Sequence, residues 1–471
     1  MEEVKPKFED AVYELFEGIK NDLLDQLIRV QSDPNRPRFH FVPILGWMND
    51  PIPFYYDGEY HVFFQYYPNA ACWGRMHWGH AVSKDLLSWS QLPIALSPTA
   101  YSPDQDGCWT GCVVQCYSGF AAFYTGVFPQ QQCLAFSDDL LQWRKFVGNP
   151  VIGSSQKPEG FGETFRDPCV WWENGEWRMI LGGIQSGVGG SPLLFRSHDL
   201  VHWEYLHPLY SGPAAYDECP DFFSMGEAHV LLTSRNFTRW AVGEYRDGRF
   251  TPERTGIVDF GAFYAGKTLL DDKGRRILFG WIREQRPCRE QLLSGWSGAL
   301  SLPRVVSILP DGCIGVEPVQ DLELLRGTLE EEQDVGLVGY SFSPGEMQLG
   351  VPSSDHLEIL LEISDIKAQR IGVILPGGER IVLDLEQGKL ADSPFELKER
   401  HLRLRIFVDG SIVEIFANGR FSKTERFYHP KKDWKTVRVF CEDGSIFVER
   451  FSIWEMKNCS AISSQEEKSM A

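Results

Sequence analysis

Residues 57–66 read DGEYHVFFQY: a turn pair, Asp57-Gly58, followed by a short run of aromatic and β-branched residues. The unit returns as SGFAAFYTG (118–126), NGEWRMILGG (174–183), MGEAHVLLTS (225–234) and DKGRRILFGW (272–281). Its turn glycines, Gly58, Gly119, Gly175, Gly226 and Gly274, lie 61, 56, 51 and 48 residues apart. A repeat of that period made of short strands predicts the blades of a β-propeller, and five copies predict five blades. A second motif recurs between them: Ser83-Lys-Asp-Leu-Leu-Ser-Trp89, Ser137-Asp-Asp-Leu-Leu-Gln-Trp143 and Ser197-His-Asp-Leu-Val-His-Trp203.

The rest of the chain divides around this repeat. Residues 1–37 form an N-terminal helix and linker: Phe8, Val12, Leu15, Phe16, Ile19, Leu23, Leu27 and Val30 recur mostly at spacings of three or four, which predicts an amphipathic helix over 8–30. That helix is expected to pack on a neighbouring domain, with a homodimer contact as its alternative role. The propeller is assigned to 38–328. Residues 329–457 are again strand-like without the repeat, and Asp409-Gly410 between alternating apolar runs marks a hairpin, so this part reads as a β-sandwich. Residues 458–471 are a polar tail. The fold class is all-β, with one added helix.

Composition excludes several functions. Lys+Arg 46 against Asp+Glu 65 gives a net charge of −19, which repels nucleic acid and anionic membrane surfaces. No apolar run is long enough to span a bilayer. The start, MEEVKPKFED, lacks the apolar core of a secretory signal, and the 11 cysteines include no CxxC pair. Reduced, buried thiols in a cytoplasmic setting are therefore expected, without a disulfide framework or zinc site. The sequons at Asn236 and Asn458 carry no meaning without secretion.

Eight residues before each turn glycine stand Asp50, Gly111, Asp167, Glu218 and Gly266. The first strand of every propeller blade lines the central channel, so equivalent positions should converge at one mouth. Three carboxylates gathered there repel one another and resist desolvation, a cost that suggests use. They could ligate a hard cation such as Ca²⁺. They could instead cut a glycosidic bond, one carboxylate attacking and another protonating the leaving oxygen. The neighbours favour the sugar. Trp47, Trp73, Trp109, Tyr264 and Trp296 supply flat faces for sugar rings, Asn49, Gln65, Thr110 and Arg166 supply groups for hydroxyls, and Arg166 beside Asp167 opposes a metal. No metal or other cofactor is expected, and the ligand is a small sugar.

These residues carry a resemblance. Trp47-Met-Asn-Asp-Pro51, Arg166-Asp-Pro168 and Glu218-Cys219 resemble the nucleophile, arginine–aspartate–proline and acid/base motifs of glycoside hydrolase family 32, the invertase, inulinase and levanase group. Trp73-Gly, Trp78-Gly-His80, DGCWTGCV from Asp106, Gly295-Trp-Ser-Gly298, Ser301-Leu-Pro-Arg304 and the hairpin from Phe407 to Gly419 are similar to further family segments, so the match runs from about residue 38 to 455. The resemblance implies a five-bladed propeller plus sandwich that acts on β-D-fructofuranosides with retention. It implies that Asp50 attacks the anomeric carbon and that Glu218 is the general acid and base, with a pKa raised by the neighbouring carboxylates. Asp167 then steadies the transition state, and Arg166 restrains the carboxylates and binds a hydroxyl. Cys219 packs beside the acid. Retention predicts a separation of about 5–6 Å between the Asp50 and Glu218 carboxyls.

Three stretches depart from the family: Pro51-Ile52-Pro53 behind the nucleophile, Tyr264-Ala-Gly266-Lys267, and Asp259-Phe-Gly-Ala262, where Ala262 replaces a polar residue. Lys267 is read as a leaving-group contact or a surface ion pair, His77, His80 and His229 as core or rim residues, and Glu330–Glu332 as a solvated inter-domain segment. The expected activity is hydrolysis of sucrose or short fructo-oligosaccharides. The alternatives are fructosyl transfer or fructan hydrolysis through the same intermediate, and non-catalytic carbohydrate binding.

Overall fold

All five turn glycines adopt left-handed backbone, with φ of 82° at Gly58, 108° at Gly119, 86° at Gly175, 64° at Gly226 and 73° at Gly274. Each joins the first two strands of one antiparallel sheet, so the repeat marks hairpins that L-residues form only under strain. The computed structural model describes residues 22–212, 218–340, 343–350, 354–428 and 436–458.

Five sheets follow, one per repeat. Their innermost strands are Gly46–Tyr56, Cys108–Cys116, Phe161–Glu173, Glu218–Met225 and Phe263–Leu270. Trp296–Ser297 pairs in parallel with Gly46 and Trp47, so the chain leaving the fifth blade closes the ring on the first. The chain is a five-bladed propeller followed by a sandwich of two six-stranded sheets, whose shared core includes Leu357, Ile359, Ile406, Ile415, Val439 and Phe451.

The second motif turns the chain from the third to the fourth strand of blades 1, 2 and 3. Asp85 Oδ1 accepts the amides of Leu87 and Ser88 at 2.8 and 2.7 Å, and the Trp89 indole donates to Leu86 O. Asp139 with Trp143 and Asp199 with Trp203 repeat the arrangement. The buried leucine between them, Leu86, Leu140 or Leu200, takes φ of 63–69°. The side-chain bonds offset that backbone strain.

A buried charge network joins propeller to sandwich. Arg304, fully buried, donates to Asp259 and Glu414, both at 2.9 Å, and to the hydroxyls of Ser422 and Thr424. Asp409, at the sandwich hairpin, accepts the amides of Arg38, Phe39 and His40 and the rings of His40 and His356 at 2.7 and 2.6 Å. These donors hold its carboxyl well below the usual carboxylate range, against the opposing effect of burial. Gly410 must stay small, because a Cβ there would lie 2.7 Å from Asn35 O.

Several expectations change. Residues 1–21 and 459–471 lie outside the described residues, so most of the 8–30 helix is not described. Its helical end, 22–31, exposes Leu23, Leu24 and Ile28 and buries only Val30. Of its apolar-face residues in this stretch, Val30 packs beside Gly295 and Leu27 is half-buried, whereas Leu23 is exposed. Cys72 and Cys288 form a disulfide, with Cα atoms 5.9 Å apart and a sequence separation of 216. Only the fold brings the pair together, so spacing alone could not reveal it. Glu330–Glu332 lies within the long sandwich strand Arg326–Gly339 rather than between domains, and Glu331 accepts from Arg450 and Ser452.

Candidate active site

Every innermost strand carries an extra residue near the mouth of the channel. The pairing slips between Asn49 and Pro51, Cys108 and Gly111, Arg166 and Cys169, Glu218 and Asp221, and Tyr264 and Lys267. At four of these bulges the first extra residue has positive φ: Asp50 at 41°, Asp167 at 61°, Cys219 at 48° and Ala265 at 53°. A bulge turns side chains toward the channel at the cost of ladder bonds.

This register corrects the eight-residue count. Asp50 and Asp167 do share one position, but Cys219, not Glu218, is their equivalent in blade 4. Glu218 stands one residue earlier, level with Asn49, Arg166 and Tyr264. Two tiers result, with Glu218 above and the Asp50 and Asp167 carboxylates below, and the distinction is invisible to a count from the turn because the hairpins differ by one residue.

In the lower tier, Asp50 Oδ2 accepts from Gln65 Nε2 at 2.9 Å, Thr110 Oγ1 at 2.7 Å and Cys219 Sγ at 3.6 Å. All three contacts fall on one oxygen, and Oδ1 has no donor among the described residues. Asp167 Oδ2 accepts the Cys219 amide at 2.9 Å, and the Cys219 Sγ lies 3.6 Å from it as it does from Asp50 Oδ2, so its one proton can serve either carboxylate. Cys219 thus bridges the two carboxylates, and burial beside them pushes its thiol well above the usual range. Burial pushes Asp167 up to about 6; Arg166 and the Cys219 amide oppose this, and Asp50 and Glu218 add to it. Below it, Thr125 accepts the Asp167 amide at 2.9 Å.

In the upper tier, Glu218 keeps its side chain 28% exposed and within reach of a ligand. Arg166 donates to its Oε1 at 2.5 Å and the Tyr264 hydroxyl donates to Oε2. The Trp47 indole donates to Asn49 at 2.8 Å. Aromatic walls rise on two sides. Trp73, 54% exposed, meets Trp109 edge-on, and Trp109 meets Phe128 and lies under the Arg166 guanidinium. Opposite, Trp281 packs between Trp47 and Tyr264.

Two expectations fail here. Trp296 offers no face to a sugar. It is fully buried, donates to Asp33 at 2.9 Å, and is covered by the guanidiniums of Arg286 and Arg36. Its backbone closes the ring, which drives its side chain behind the first blade. Lys267 contacts no leaving group; it is buried, and its Nζ donates to Pro220 O at 3.1 Å. Asp259 is committed to Arg304 and Thr424. His80 and His229 are packing residues, stacked on Phe63 and Phe222. Conversely, Trp281, Phe128 and Thr125 belong to the site although no motif pointed to them. Trp281 was legible by the repeat itself: it stands seven residues after Gly274, as Gln65 does after Gly58.

Among the described residues there is no cluster of three or more groups placed to hold a metal, and no helix long and apolar enough to cross a membrane.

The chain matches two family descriptions, Glycosyl hydrolases family 32 N-terminal domain over residues 40–315 and Glycosyl hydrolases family 32 C terminal over 337–455. It is 32% identical to a sucrose-6-phosphate hydrolase of Zymomonas mobilis, with 93% of this chain and 95% of that protein covered. It is also 32% identical to a raffinose invertase of Escherichia coli, covering 93% and 98%. Among solved structures, fructan 1-exohydrolase IIa from Cichorium intybus superposes with a TM-score of 0.80 at 26% identity, covering 90% of this chain and 98% of that one.

Proposed function

Because the chain belongs to glycosyl hydrolase family 32, and is therefore a glycoside hydrolase, we propose that it is a retaining β-fructofuranosidase acting on sucrose or short fructo-oligosaccharides through a fructosyl-enzyme on Asp50. The observation that carries this reading is the one-sided hold on Asp50. Three donors grip Oδ2, so Oδ1 is left as the oxygen that attacks the anomeric C2.

Glu218 is the proposed acid and base. Arg166 and Tyr264 aim its two oxygens separately. A proton on Oε2 lets the Tyr264 oxygen accept instead of donate, and that proton passes to the leaving glycosyl oxygen. The resulting carboxylate then takes a proton from water as water attacks C2. Asp167 faces the ring as it gains oxocarbenium character. With a pKa of about 6, it is mostly ionised at neutral pH and offers negative charge where positive charge develops. The aromatic walls of Trp73–Trp109 and Trp47–Trp281 would shed water and stack on the sugar.

Two further points rest on less. The exposed Leu23, Leu24 and Ile28 support self-association through the N-terminal helix; sedimentation of the chain with and without that helix tests it. The eight free cysteines among the described residues support a reducing, cytoplasmic setting, with Cys72–Cys288 as the exception.

A panel of sucrose, kestose, inulin and levan with identified products tests the activity. Free fructose from sucrose and kestose, ahead of the polymers, is expected. Kestose-type oligomers growing at high sucrose would establish transfer, and no fructose from any of them would overturn the proposal.

A further inference from the structure

Beneath the two tiers of the site lies a third. It is formed by the first residue of each innermost strand to rejoin its ladder after the bulge: Pro51, Gly111, Cys169, Asp221 and Lys267. Only the last two bear charge, and they stand in adjacent blades. Lys267 is 3% exposed. Burial opposes its charge, but Cys169, Asp221, Cys112 and Cys219 surround the ammonium and hold its pKa above the usual lysine value. Arg276, from the second strand of blade 5, lines the same cavity.

This tier clamps blade 4 to blade 5 directly behind the Glu218–Cys219 pair. Lys267 Nζ donates to Pro220 O at 3.1 Å, and Thr268 donates its amide and hydroxyl to Asp221 Oδ2 at 2.9 and 2.7 Å. From blade 3 the Cys169 thiol donates to Asp221 Oδ1 at 3.8 Å. Proline has no N–H, so the carbonyl is the one main-chain group by which residue 220 can be held, and the ladder skips it at the bulge.

The segment held in this way is strained. Cys219 has φ of 48°, a backbone that a non-glycine residue keeps only where its surroundings over-determine it. Its amide reaches Asp167, and its thiol lies 3.6 Å from both Asp167 and Asp50. Movement at Pro220 would carry both groups away from the carboxylates. A buried ammonium is also a costly filler of space that a methionine would occupy without charge, and fixing this carbonyl is a use that offsets the cost.

We propose that Lys267 is a positioning residue for the reacting carboxylates: its ammonium fixes the Pro220 carbonyl, and this locks the Cys219 backbone between Asp167 and Asp50. The proposal rests on the reading of Asp50, Asp167 and Glu218 as the reacting groups. Lys267 acts on the reaction through Cys219 and touches no sugar.

The test compares wild type, Lys267→Met, Lys267→Arg and Thr268→Val by three readouts. These are hydrogen exchange of the Cys219 amide, NMR titration of isotope-labelled aspartate carboxyls with Asp167 assigned by its loss in Asp167→Asn, and kcat and KM on sucrose against pH. Asp167 faces Arg166 on its own strand, Asp50 in blade 1, and Cys219 and Glu218 in blade 4, and in wild type it titrates at about 6. Lys267→Met should speed Cys219 exchange at least about tenfold and raise the Asp167 midpoint to about 7, because the ionised carboxylate loses its amide donor. The acidic limb of kcat should move up with it, so that kcat at pH 6 falls about tenfold while KM stays within about twofold. Lys267→Arg, which keeps a donor and a charge, should recover most of the loss. If Lys267→Met does not fold, Thr268→Val, which removes one bond to the neighbouring Asp221, decides alone through a smaller rise in exchange and midpoint. Unchanged Cys219 exchange in the deciding variant overturns the positioning role. A raised midpoint without faster exchange overturns it too, since that is only the field of the lost charge. The first two readouts need no substrate, so they decide the role of Lys267 even if wild type releases no fructose, the separate result that overturns the proposed activity.

Discussion

Replacing Asp167 with Asn should make the protein more stable while it destroys activity. Burial raises the Asp167 carboxyl from 3.8 to about 6. Well below pH 3.8 the group is neutral in both folded and unfolded chains and costs nothing. As pH rises through 6, the folded chain must hold the ionised form in a dry site, whereas the unfolded chain ionises it in water. At about 1.4 kcal/mol for each tenfold in the equilibrium, the difference approaches about 3 kcal/mol at pH 8. Asn removes that cost, and its Oδ1 can still accept the Cys219 amide that Asp167 accepts at 2.9 Å. With an unfolding entropy of about 2.1 cal/mol/K per residue over about 290 propeller residues, 3 kcal/mol corresponds to a Tm rise of roughly 5 °C. The assay is calorimetric melting of wild type and Asp167→Asn at pH 4, 6 and 8, with sucrose turnover measured in parallel. The gain should be largest at pH 8 and fall toward zero by pH 4. A gain independent of pH, or a lower Tm for Asp167→Asn at pH 8, would refute the assignment of a strained, functional carboxylate.

Three other perturbations follow from the same geometry. Thr110→Val removes the 2.7 Å bond that fixes Asp50 Oδ2, a charge-assisted contact of about 1.5–3 kcal/mol, so kcat should fall at least about tenfold while Gln65 preserves the fold; steady-state kinetics on sucrose measures it. Arg304→Met strips the fully buried Asp259 and Glu414 of their shared cation and should cost about 3–5 kcal/mol in urea unfolding, with little change in KM because no sugar reaches it. Asp409→Asn should destabilise at neutral pH, where five donors hold the carboxylate, and the deficit should shrink as pH falls below the usual carboxylate range, since the wild-type contribution is lost there too; unfolding at pH 7 and pH 3 compares them.

Different parts of this molecule were legible to different degrees. The blades could be read because each begins at a glycine that must take positive φ, and five such glycines in five strand-like settings fix five hairpins. The carboxylates could be read because a propeller brings its inner strands together, so residues far apart in sequence become neighbours by symmetry. The limit appears at the scale of one residue. Glu218 and Cys219 exchange tiers relative to a simple count, because a bulge and a hairpin each absorb a residue without leaving a mark on composition. Trp296 misled for a related reason. An indole in a family-like segment reads as a sugar platform, but its backbone closes the ring and its side chain is thrust between Asp33 and Arg286. Cys72–Cys288 and the Arg304 and Asp409 networks were out of reach, since each depends on contacts more than 40 residues apart in sequence that no local pattern encodes.

The central claim is that Asp50 forms the covalent intermediate. Rapid acid quenching of the enzyme during sucrose turnover, followed by peptic digestion and mass spectrometry, tests it directly. The account predicts a peptide containing Asp50 that is heavier by one hexosyl residue, about 162 Da, and that disappears in Asp50→Ala. A modified peptide containing Asp167 or Glu218 instead, or full turnover by Asp50→Ala, would contradict it.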